Sequence, residues 1–137
     1  MNAAKLCEDL GHKVEEVQLP IDPAEFFGAT GTVTGAGMRA RILKRELELG
    51  RPATEDDLEP LIWQRFLEHK KTTADQVIKA QSTIGRIARQ IALLQQDYDV
   101  LLSPTMAAPP PKIGKLSLNQ AYAPYAKEAI SASAFTM

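Results

Sequence analysis

A helix-rich α/β fold, with about five helices and two short strands of a mixed sheet, is what this sequence predicts. Three observations carry that expectation. Residues 73–96 repeat apolar side chains at three- and four-residue spacing, the signature of an amphipathic helix. Two short apolar runs, Val14 to Leu19 and Asp99 to Ser103, have the length and composition of strands. Between them stand the start and stop signals of helices at Asp22-Pro23, Gly50 and Pro60.

Taken in order, the first ten residues resemble the end of a helix closed by Gly11 at its C-cap. Val14, Val17 and Leu19 then form a strand that Pro20 ends. Asp22 is placed to cap the next helix, Pro23 suits its first position, and Glu25 stands where a capping-box acid reaches back. The small-residue stretch Gly28 to Gly37 separates that start from a helix expected over Met38 to Leu49, which Gly50 and Pro52 stop. Thr54 to Leu58 allows one turn. Pro60 opens another helix, with Ile62–Phe66 and Trp63–Leu67 as i,i+4 pairs. Thr73 and Gln76 form a capping box for the long helix, whose stripe is Val77, Ala80, Ile84, Ile87, Ile91 and Leu94. Asp99 to Ser103 reads as a strand buried on both faces, ended by Pro104. Pro109 to Pro111 is stiff polyproline-like chain, and a last helix starts near Ser117 or Asn119 and runs through Ala132.

The chain has 137 residues, fitting one domain, and a net charge of -1, so no global field draws it to nucleic acid or to an anionic membrane. The basic groups Arg39 to Arg45 and Lys70-Lys71 sit beside glutamates or a helix end, as a solvated face would. Cys7, the single cysteine, cannot make an intrachain disulfide. It shares an apolar helical side with Ala3, Leu6 and Leu10, which favours a buried, inert thiol over a nucleophile. With no signal peptide and no apolar run of membrane length, the expected location is cytoplasmic. His12 and His69 are far apart and lack ligand-spaced partners, so no metal and no cofactor is expected.

Other tempting groups resolve toward ordinary roles. The Gly28–Gly37 stretch lacks the lysine of a phosphate loop and the spacing of a dinucleotide fingerprint, which leaves a loop or close helix packing. Lys127, Ser131 and Ser133 resemble a serine–lysine pair, but nothing nearby suggests an oxyanion hole. Glu55, Asp56, Asp57 and Glu59 are helix-start chemistry, and Trp63 is a core aromatic.

Several segments, in order, resemble the amidase signature family. They are Ala3 to Leu6 leading to Leu10 to Glu16; Gly50-Arg51-Pro52; Leu58-Glu59-Pro60 with Trp63; and Asp97 to Thr105 followed by Pro109-Pro110 and Ile113-Gly114. Ala134-Phe135-Thr136 resembles the approach to a later family stretch. The resemblance implies residues 1–137 as a single C-terminal segment of an amidase domain. It implies hydrolysis of carboxylic amides by a serine, a second serine and a lysine that lie upstream of the region matched by Met1 to Leu10. No catalytic or substrate-binding residue carries over. The expectation is therefore an inactive isolated chain whose strand edges favour self-association or pairing with a missing N-terminal part. A small-molecule amide is the expected substrate of the intact enzyme. A non-enzymatic helical module that oligomerises through Val77 to Leu94 is the alternative.

Overall fold

The computed structural model describes residues 3–106 and 108–133, with the side chains of 131–133 outside that description. Among the described residues there are five α-helices: α1 (Ala3–Asp9), α2 (Pro23–Leu49), α3 (Pro60–His69), α4 (Ala74–Leu94) and α5 (Tyr122–Ser133). Single 3₁₀ turns occupy Glu55–Asp57 and Gln95–Asp97. Helix α2 is the spine. Helices α4 and α3 pack against it, and α5 leans on α3.

The expected sheet is not there. No strand forms among the described residues, and the segments 14–19 and 99–103 run without a ladder. A strand is stable only when its backbone groups find partners, and neither segment meets one. Tyr98, just before the second segment, donates its hydroxyl to the Glu15 carboxylate of the first at 3.3 Å. Instead of being buried on both faces, Val100 is 79% exposed, and Leu101 and Leu102 are exposed as well.

The second correction concerns α2. The Gly28–Gly37 stretch is neither a loop nor a break; it lies inside one continuous helix of 27 residues. Glycine costs helix interiors about 1 kcal/mol each, so propensity alone argues against this. Thr30, Thr32 and Thr34 satisfy their hydroxyls on the carbonyls of Phe26, Gly28 and Thr30 at 2.8–2.9 Å, which does not add to the helix's stability. The small side chains let α3 and α4 approach closely, so packing rather than propensity holds the segment helical. Asp22 caps the start by accepting from the Ala24 N–H at 2.9 Å, and Gly50 ends the helix at φ 67°. Glu25 does not reach back to the cap; it pairs with Arg86 of α4 and ties the two helices together.

Helix α4 follows its sequence signals closely. Thr73 and Gln76 form the capping box, with the Thr73 N–H donating to Gln76 at 2.9 Å. The stripe Val77, Ala80, Ile84, Ile87, Ile91 and Leu94 is half-buried or buried, with Ile87 only 2% exposed, while Lys79, Arg86 and Arg89 face outward. The stripe of the alternative oligomerisation module is thus turned into the chain's own core. Phe66 of α3, fully buried, is the other large anchor, with Trp63 5.6 Å away ring to ring. The start of α3 is closed from outside the helix, since the Leu61 N–H donates to the Leu118 carbonyl at 3.2 Å. Arg65 stacks over the Tyr122 ring at 4.4 Å, and Gln64 accepts from the Tyr122 N–H, which docks α5.

Candidate functional site

An open groove of about 410 Å³ runs between the first half of α2 and the start of α4. Glu25, Gly28, Ala29 and Thr32 line one side; Thr72, Gln76, Lys79, Ala80 and Thr83 line the other. Its polar groups are mostly engaged. The Thr32 hydroxyl donates to Gly28, Gln76 caps α4, and Glu25 is held by Arg86.

Behind the groove stands His69, at 9% exposure the one polar residue in the core of the described structure. Its Nδ1 lies 3.1 Å from the Thr72 hydroxyl, and its Nε2 is shielded with no hydrogen-bond partner. Burial, and then the neighbouring Arg65 guanidinium, push the imidazole below its ordinary pKa of 6.5. A hydroxyl beside an imidazole is the beginning of a nucleophile–base pair. Among the described residues no third group bonds the ring and no pair of backbone N–H donors converges on the hydroxyl.

A second hydroxyl–base contact joins Thr54 to Asp57. Asp57 accepts two bonds from Arg51 at 2.7 Å and two from Thr54 at 2.9 Å. The Arg51 guanidinium first, and Thr54 second, hold this carboxyl far below the usual range, which makes it a poor base and a firm turn closure. Glu55, Asp56 and Asp57 therefore form a helical turn, as their sequence suggests.

Trp63 lies half-buried on α3 with Phe66 and Lys70, away from the groove residues. Lys127 falls on α5, and the side chains of Ser131 and Ser133 are outside the described residues, as is Ala134-Phe135-Thr136. Cys7 is half-buried on α1, a helix that buries no residue. No cluster of metal-ligating side chains occurs among the described residues. No helix there is long and apolar enough to cross a membrane. The residue that sequence reasoning passed over is His69, weighed only as a metal ligand. Its signal was indirect: a histidine in the last turn of a helix whose partner helix is rich in glycine.

Comparison with known proteins places the chain. Residues 1–135 match the Amidase family. A lipoamidase of Enterococcus faecalis is 29% identical over 111 residues, which is 81% of this chain and 15% of that protein. AmiC of Mycobacterium leprae, an amidase by name, is 30% identical over 117 residues, covering 85% of this chain and 25% of that one. A 2-amino-5-chloromuconic acid deaminase of Comamonas testosteroni is 27% identical over 88 residues, 64% of this chain and 19% of its own. The chain thus spans a quarter or less of the length of these relatives. No solved structure matches it. With the match running through nearly every residue, the chain belongs to the Amidase family.

Proposed function

We propose that these residues form a helical wall of an amidase that hydrolyses the C–N bond of small carboxylic amides, and that the 137-residue chain by itself is inactive. The family match over residues 1–135 is the observation that carries the first half. The second half rests on the chemistry described above. Amide hydrolysis needs an activated nucleophile, a base and donors for the developing oxyanion. Neither Thr72–His69 nor Thr54–Asp57 is accompanied by such donors among the described residues, and Asp57 is a poor base.

On this reading other parts of an amidase polypeptide cover the exposed apolar side chains of Val100 and Leu102.

Ammonia release from a panel of aliphatic and aromatic amides, with the purified chain, tests the proposal. No turnover above buffer is expected. Turnover that a serine-directed inhibitor abolishes would show that the chain carries its own nucleophile and would overturn the second half.

A further inference from the structure

Helices α2 and α3 meet where Gly35 faces the His69 ring. The approach is so close that a Cβ on Gly35 would lie 2.0 Å from Nε2. A neutral imidazole suits this place. In the tautomer protonated at Nδ1, the ring N–H donates to the Thr72 hydroxyl and the bare Nε2 lone pair lies against the α2 backbone at Gly35. An imidazolium does not suit it. Its new Nε2–H would be sealed from water in a place where Nε2 has no hydrogen-bond partner.

We propose that the Gly35–His69 contact is an acid-sensitive joint, in which protonation of His69 expels the ring from between the helices and frees α3, with its docked α5, from α2. The charged groups around the ring favour that response. On α3, Arg65 opposes the imidazolium, and Glu68, bridged to Arg65 at 2.8 Å, favours it by a smaller amount. On α2 the charged position one turn beyond Gly35 is Arg39, another cation. Lys70 and Lys71 follow the ring in sequence, and Asp75 and Lys79 on the first turns of α4 are exposed.

Burial and Arg65 keep the folded-state midpoint below 6.5, the unfolded value. The unfolded chain therefore takes the proton first as pH falls. The stability that the neutral ring confers is present above about pH 6.5 and is lost as pH falls toward the folded midpoint.

The experiment is an NMR titration of the purified chain from about pH 8 to about pH 5, the range in which histidine changes charge. It follows the ring Hε1 signals of His69 and His12 and the backbone amides of Gly31, Gly35 and Arg39. The expected result is that His69 titrates below 6.5 and that the three α2 amides move with the same midpoint. His69→Gln, which keeps an uncharged polar side chain, removes the amide titration. The wild-type folding constant falls as pH drops across the window, by at most about tenfold per pH unit for a single proton, while that of the variant stays level. Where His69→Gln does not fold, Thr72→Val takes its place, and the ring and amide midpoints must then shift together. Amides that ignore the His69 titration, or that titrate unchanged in the variant, overturn the proposal.

Discussion

Gly35 and Gly37 lie two residues apart in the same helix, yet a methyl group has opposite consequences at each. Gly35 is buried, and an added Cβ would fall 2.0–2.2 Å from three atoms of the His69 ring. The ring is enclosed and cannot simply swing away, so Gly35→Ala is expected to destabilise the fold by about 1–3 kcal/mol. Gly37 is exposed, with nothing within 4 Å of its added Cβ. There the substitution only removes freedom from the unfolded chain, and Gly37→Ala is expected to stabilise by about 0.4–1 kcal/mol. Urea unfolding followed by the fluorescence of Trp63 measures both. A stabilised Gly35→Ala would mean that the two helices are not in contact at that point. The sequence shows glycines at both positions and gives no means to rank them, since what ranks them is the side chain arriving from a helix more than thirty residues away. His69 was obscure for the same reason: its role lies in the backbone it presses against.

The helices differ in how openly their sequences declare them. Helix α4 is legible because its own side chains decide it: a capping box at Thr73–Gln76 and a stripe from Val77 to Leu94 that needs no knowledge of the partner. Helix α2 is legible only at its ends, through Asp22, Pro23 and Gly50. Its middle is glycine and threonine, which argue locally for a break, and the competing term is packing against α3 and α4. The two strands fail for the opposite reason. Their local pattern is right, but a strand is a relation between segments, and the relation is missing here. Because α4 depends on a narrow buried stripe, its centre is sensitive. Ile87→Ala, at a site 2% exposed, is expected to cost about 2–5 kcal/mol, whereas Ile78→Ala, 63% exposed, changes stability little. Thermal unfolding by circular dichroism separates the two. Equal losses at both positions would contradict the inward orientation of the stripe.

At the scale of the whole molecule, surface area is the telling quantity. The chain exposes 10226 Å², about 3,000 Å² more than the roughly 7,000 Å² of a compact monomer of its mass. A standard protein interface covers only about 800 Å² on each partner, so the excess is enough for extensive association. Large apolar side chains stand in it on the helices, as at Leu47 (84%), and also along the segment after α4: Val100 at 79%, Leu102 at 53%, Met106 at 44% and Ile113 fully exposed. In an intact amidase the rest of the domain is proposed to lie there. The isolated chain has only solvent or another copy of itself to meet this surface, and solvent is the less favourable. Light scattering across a dilution series is therefore expected to show mass rising with concentration. Replacing Val100 and Leu102 together by Lys is expected to lower that association while leaving the helical circular dichroism intact, because neither side chain reaches the core around Phe66 and Ile87. A wild-type chain that stays monomeric and unfolds cooperatively at every concentration would mean that these helices suffice as a unit and that segment 99–103 tolerates water.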